Sequence, residues 1–242
     1  MSLSKVQLKL ITSLLQKKYR KKHNLFMVEG IKGVQEFLNS KFEFFQLLTS
    51  DASIFLEVEN RIVISENDLK KISNLKTPNK VVALFRIPEE DIIVNNGLIV
   101  ALDEVNDPGN LGTIIRLCDW FGIDQLICSK NTVDCFNPKV VQASMGSLTR
   151  VSIIYTDLDK YLQQTKLPKF ATIMDGENIY KTKLPKEGII IMGNEANGIR
   201  SEILKLVTNK ITIPRFGEFQ KTESLNVATA TAIVLNEFKR NS

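Results

Sequence analysis

The chain has 242 residues, 43% of them apolar and 24% charged, enough for a sizeable core in one or two globular domains. Its apolar runs are too short to cross a bilayer and no apolar leader core accompanies the N-terminal lysines, so the expected location is cytoplasmic. A net charge of +5 and a pI near 9.0 favour a polyanionic partner, and three cysteines without a CxxC pair beside a single histidine argue against a closed metal site.

Residues 1–20 predict one amphipathic helix, with Leu8, Ile11, Leu14 and Leu15 on a single stripe. Lys17, Lys18, Arg20, Lys21 and Lys22 follow within six positions, with Tyr19 among them and His23 next. This cluster reads equally as a solvated helix end or as a patch that contacts phosphates. Short alternating elements come next: strands at 25–28, 44–49, 61–64 and 81–87, a helix at 31–38, and a helix capped by Ser65 and running to about Ile72. They make a small α/β unit over residues 1–90. Residues 88–96 carry a proline and an acidic run and read as a linker.

From residue 97 to 242 the alternation is cleaner. Strands are expected at 97–103, 125–128, 151–155, 170–174, 188–192 and 210–214. Between them lie a helix after Asp107-Pro-Gly, one opened by Asn137-Pro138, one capped by Asp157, one capped by Ser201 and a final helix from Ser224 to about Phe238. Strands alternating with helices predict a mostly parallel sheet covered on both faces.

Three strand edges collect glycines and polar side chains: NDPGNLGTIIR at 106–116, IMGNEANGI at 191–199, and ITIP at 211–214 followed by ESLN at 223–226. Each alone passes as a turn or cap. Together they suggest one site built from loops on one side of a sheet. Gly193 lets a ligand approach the backbone, and Glu195 is placed to pair with Arg116. Arg116 falls in the early turns of its helix, where the dipole does not favour a cation. Ser224 reads as the N-cap of the last helix, with Asn226 in its first turn, where free N–H groups suit an anion. No P-loop and no GxGxxG follow a strand, which counts against nucleotide hydrolases and standard dinucleotide folds.

The three segments together resemble the SpoU (TrmH-like) family of RNA 2′-O-ribose methyltransferases, of the SPOUT superfamily, over about residues 98–240. The shared pattern is N…DPGNxG…R ending at Arg116, MGxExxG over residues 192–198, and Ile213-Pro214 with SLNVATATAI at 224–233. Arg215 stands where methionine is usual, and residues 217–223 are longer than in many relatives. Residues 1–90, with Phe26-Met-Val-Glu-Gly30 leading a helix, resemble the L30e-like substrate-binding domain of many members.

The resemblance implies a trefoil knot in the C-terminal domain, S-adenosylmethionine bound beside it, and a homodimer formed through that domain. It assigns catalysis to Arg116, Glu195, Asn106, Ser224 and Asn226. Cofactor contacts fall to backbone groups at Thr172, Gly193, Ile213 and Leu225. Independently of the resemblance, the charge cluster read as a phosphate patch gives RNA contacts from Lys17, Lys18, Arg20, Lys21 and Lys22. No metal is implied. A guanidinium is a poor base. Arg116 therefore either takes the ribose proton when desolvated or stabilises the alkoxide electrostatically while another group accepts the proton. Large-subunit ribosomal RNA is the first substrate expectation and transfer RNA the second. The remaining alternatives are a non-catalytic RNA-binding protein on this scaffold and a small-molecule methyltransferase.

Overall fold

The computed structural model describes residues 2–89, 91–217 and 224–240. In chain order the first elements are α1 (Lys5–Ser13), α2 (Lys17–His23), β1 (Leu25–Glu29), α3 (Ile31–Leu38), β2 (Phe44–Thr49), β3 (Arg61–Val63), α4 (Glu66–Ile72) and β4 (Val81–Arg86). There follow β5 (Leu98–Leu102), α5 (Pro108–Trp120), β6 (Gln125–Ser129), α6 (Pro138–Ser144), β7 (Ser152–Thr156) and α7 (Leu158–Gln164). The last are β8 (Lys169–Asn178), β9 (Gly188–Met192), α8 (Ser201–Leu204), β10 (Asn209–Thr212) and α9 (Val227–Arg240).

The chain forms two compact units. The first holds residues up to Glu89 together with Asp134–Thr149, and the second holds the remainder. Helix α6, expected in the second unit from its place in the sequence, thus packs with the first.

In the first unit the sheet order is β1-β4-β2-β3, with only β2 and β3 parallel. Alternation along β1 sends Leu25 and Met27 to one face, against Ile11 and Leu14, Leu69 and Ile72. Phe26, between them, meets Phe37, Phe42, Phe85 and Phe136 with ring centroids 4.6–6.0 Å apart. The single N-terminal helix expected from the apolar stripe is two helices. Gln16 is extended (φ −102, ψ 132), and no Gly or Pro announces the break. The carbonyls of Leu14 and Leu15, freed at the break, accept from Nη1 of Arg20 at 2.8 and 3.0 Å.

The second unit contains a parallel six-stranded sheet in the order β10-β8-β9-β5-β6-β7. Strands β5 and β9 are buried at every position, as both faces of a parallel sheet are covered. Ile99, Ala101, Ile189 and Ile191 face Leu158 and Leu162 of α7 and Ile203 of α8. From the other face Phe170 meets Phe238 of α9 at 5.2 Å, and α9 packs along α5. Strand β8 is longer than expected because it leaves the ladder and returns. Lys210 pairs with Ala171, but Ile211 pairs with Glu177, so residues 172–176 make an excursion. The expected linker is pinned: Val94 N–H donates to Gln125 Oε1 at 3.0 Å, and Tyr161 Oη to Asn95 Oδ1 at 3.0 Å. Ser201 is the first residue of α8 rather than its cap, because Arg200 holds the cap position without a side-chain bond. Residues 218–223, in the loop whose length departs from the family pattern, lie outside the described residues. Among the described residues no helix is long and apolar enough to cross a membrane.

Candidate active site

Strands β5 and β9 are neighbours, and the connection leaving β5 runs to β6 on one side while the connection leaving β9 runs to β10 on the other. Such a switch point opens a crevice at the strands' C-terminal ends. The loop 103–107 after β5 and the loop 193–199 after β9 both start there, and Asp107 caps α5 by accepting from Asn110 N–H at 2.8 Å.

The expected convergence is partly present, and its linking residue is Asn110. Asn226 Oδ1 accepts from the N–H groups of Ala228 and Thr229 at 3.0 and 3.2 Å. Its Nδ2 donates to Asn110 Oδ1 at 2.8 Å, and Asn110 Nδ2 donates to Glu195 Oε1 at 2.8 Å. Because the helix fixes which atom of Asn226 is the acceptor, both amides and the carboxylate have one consistent orientation. One side-chain relay therefore joins the three sequence segments. Asn110 was missed because it read as an ordinary turn residue in Asp-Pro-Gly-Asn. Its position as the third residue of a helix opening at a sheet edge was the available signal.

Several expectations need correction. Asn226, not Ser224, caps α9, which starts at Val227. Ser224 is exposed and bonds no described residue. Both residue types cap well, and propensity does not choose between positions two apart. Glu195 bonds Asn110 rather than Arg116. Arg116 is exposed and without an ion pair among the described residues, since it lies six residues beyond Asn110, about 9 Å further along the axis. It is also the ninth of thirteen residues in α5, so the helix dipole does not oppose it there. Asn106 is exposed and outside the relay.

The expected cofactor residues follow the same sheet edge. Thr172, Gly193 and Ile213 come at or just after the C-terminal ends of the paired parts of β8, β9 and β10, which are neighbours in the sheet. Thr172 Oγ1 is buried with no hydrogen-bond partner. A Cβ on Gly193 would lie 2.4 Å from the Gly198 carbonyl carbon, so only glycine lets the 193–199 loop fold back here. Leu225 is exposed just ahead of the Asn226 cap. One unsatisfied buried hydroxyl beside apolar strand ends fits a ligand with a hydrogen-bonding heterocycle and an apolar body, which is the chemistry of an adenosine-type cofactor.

Behind the relay lies a charged cluster that the sequence did not reveal. Arg200 pairs with fully buried Asp103 at 2.8 Å and with Asp159 at 3.1 Å. Burial alone would lower the arginine's pKa, but its carboxylate partners raise it overall.

In the first unit Lys17, Lys18, Lys21 and Lys22 are exposed on α2, and Lys18 Nζ stands 4.7 Å from the Tyr19 ring centroid. Arg20 is not part of that surface. It is 2% exposed, with its guanidinium committed to Asp134 and to the Leu14 and Leu15 carbonyls. Helical spacing turns it inward from the lysines.

The second unit is thus an α/β domain with a loop-built site at the switch point of a parallel sheet. Residues 97–236 match the SpoU rRNA Methylase family and residues 5–83 match the MRM3-like substrate binding domain. The chain belongs to the SpoU rRNA methylase family. It is 30% identical over 227 residues to the 23S rRNA (guanosine(2553)-2′-O)-methyltransferase RlmP of Bacillus subtilis, covering 90% of each chain. A TrmH-family structure from Porphyromonas gingivalis superposes with TM-score 0.90 and 38% identity over all of both chains. An AdoMet-bound rRNA methyltransferase from Sinorhizobium meliloti superposes with TM-score 0.88 and 30% identity, over 100% of this chain and 97% of that one.

Proposed function

We propose that the protein methylates a ribose 2′-oxygen of large-subunit ribosomal RNA, with S-adenosylmethionine as donor and as a homodimer formed through the C-terminal domain. The observation that carries this reading is the Asn226–Asn110–Glu195 relay at the end of the parallel sheet, on the same sheet edge as Thr172 and Gly193. Family membership and the activity named for the Bacillus relative support it. The knotted path of the C-terminal segment belongs to the same proposal.

When bound, S-adenosylmethionine supplies a methyl group on a sulfonium. Backbone groups at Thr172, Gly193, Ile213 and Leu225 would hold it, with the unpartnered Thr172 Oγ1 free to add a polar contact. Asn226 and Asn110 hold Glu195 in one orientation without any rearrangement during the reaction, which is the condition for electrostatic preorganisation. Arg116 makes no ion pair with a described residue and is the cation that meets a substrate phosphate or the 2′-oxygen, whose proton passes either to the desolvated guanidinium or to another group while Arg116 stabilises the alkoxide. Asn106 and Ser224, both exposed, border the substrate. The lysines of α2 contact RNA phosphates away from the reacting sugar, which positions the RNA without reading its sequence.

The test is a comparison of 2′-O-methyl sites in total RNA with and without the gene, followed by methylation of the unmodified RNA by purified protein. Loss of one large-subunit site, restored in vitro, is the expected result. Loss confined to a transfer RNA overturns the substrate, and an unchanged map overturns the reading.

A further inference from the structure

The geometry points to Asp103 as a positioning residue that holds Glu195 in register with Asn110. The inference rests on the methyl-transfer reading of this site.

Asp103 follows β5 directly and is 0% exposed. Its N–H donates to the Met192 carbonyl at 2.9 Å, at the end of β9. Its carboxylate accepts from Arg200 twice, from the backbone N–H at Oδ2 and from Nε at Oδ1, both at 2.8 Å. Met192 and Arg200 are the two ends of the loop that carries Glu195, so a single residue ties both ends. Between those ties the loop closes on itself. Asn194 and Gly198 exchange backbone bonds of 2.9 Å, and Asn194 Oδ1 accepts from the N–H groups of Ala196 and Asn197 at 2.9 and 3.1 Å. Asn194 Nδ2 reaches back to the Glu104 carbonyl at 2.7 Å. Asp159, at the start of α7, holds the Arg200 guanidinium from another direction at 3.1 Å.

A fully buried carboxylate is costly to keep at a strand end, and packing alone does not require one there. A carboxylate gripping the backbone and the side chain of one residue fixes both the height and the tilt of the loop. The relay needs both, because Glu195 meets Asn110 through one bond whose length depends on where the loop stands. The pairing also explains an arginine at position 200, which fills a helix cap position without capping the helix.

The experiment measures single-turnover methylation and steady-state kinetics for wild type, Asp103→Asn and Arg200→Gln, each also in a Glu195→Gln background. For either single variant the expected loss in kcat is about tenfold to a hundredfold, the size that follows a small misplacement of a reacting group, with KM for RNA and for donor nearly unchanged. In the Glu195→Gln background the same substitution is expected to cost almost nothing more, since residues acting through one another are not additive. Equal losses in both backgrounds, or a loss carried by KM, overturn the inference. Should Asp103→Asn fail to fold, Arg200→Gln keeps the carboxylate and its backbone bond and carries the same comparison. An active wild type with insensitive variants refutes the positioning role alone, whereas a wild type inactive on both ribosomal and transfer RNA withdraws the methyl-transfer reading with it.

Discussion

The two carboxamides of the relay differ in what they can lose. Asn226 has two separable duties, since its oxygen caps α9 and its nitrogen orients Asn110. Asn226→Asp keeps the cap, because aspartate caps as well as asparagine, but it faces the Asn110 oxygen with another acceptor. Thermal unfolding is expected within a degree or two of wild type, with methyl transfer reduced about tenfold or more. Asn226→Ala loses the cap as well, about 1 kcal/mol. Full activity of Asn226→Asp would remove the relay from the mechanism. Arg116→Ala should leave folding and calorimetric cofactor binding intact, because the exposed side chain makes no hydrogen bond or ion pair with a described residue, and should cost methylation at least about a hundredfold. Normal turnover in that variant defeats the assignment. The sequence singled out Glu195 and Asn226, which the relay joins, and Arg116, which lies outside it, because their segments combine glycine, amide and charge at strand ends. It did not expose Asn110 or Asp103, whose importance comes from contacts 85 to 116 positions away, or from a buried pair with a residue 97 positions on.

Among the elements, α2 shows how far a charge run can be trusted. Four of its basic residues face water and one is buried, a division set by helical phase and by the acceptor at Asp134. Reversing Lys17, Lys18 and Lys21 together is expected to weaken RNA binding and to lower the slope of log K against log salt by about one per lost phosphate contact. An unchanged slope in filter-binding titrations removes α2 from the RNA surface. Helix α4 carries an acid-sensitive anchor. Lys71 and the Leu3 N–H hold the Asp68 carboxyl down from its ordinary 3.8 to about 2. A carboxylate with a depressed pKa contributes stability that is complete above the ordinary value and disappears as pH falls through the lowered one. The gap in urea midpoint between wild type and Asp68→Asn should therefore be full at pH 5 and shrink toward pH 2. A gap that does not change with pH contradicts the anchor. Most elements were legible from periodicity and caps, with boundaries shifted by a residue or two. The break between α1 and α2 and the β8 excursion were not, because each depends on a partner elsewhere, Arg20 in the first case and β10 in the second.

For the molecule as a whole, the proposed homodimer has a built-in reporter. Trp120, the only tryptophan, ends α5 in the second unit with 84% of its surface exposed. A dimer face that includes the end of α5 predicts a blue shift of its emission with rising concentration, alongside a sedimentation coefficient for two chains. A monomer at all concentrations would end that part of the proposal. The order of strands in the parallel sheet was beyond sequence reading, since two of its neighbouring pairs, β10 with β8 and β9 with β5, join strands that are not consecutive in the chain.

Asp134–Thr149 joins the first unit from the far side of two strands and a helix, bringing Asp134 to Arg20 and Phe136 to Phe26. The substrate-binding module is therefore sewn into its catalytic neighbour's stretch of chain. A chimaera joined near residue 90 would leave a borrowed module without its own aromatic plug and its arginine without a counter-ion, so any exchange of RNA specificity between relatives must graft two stretches together.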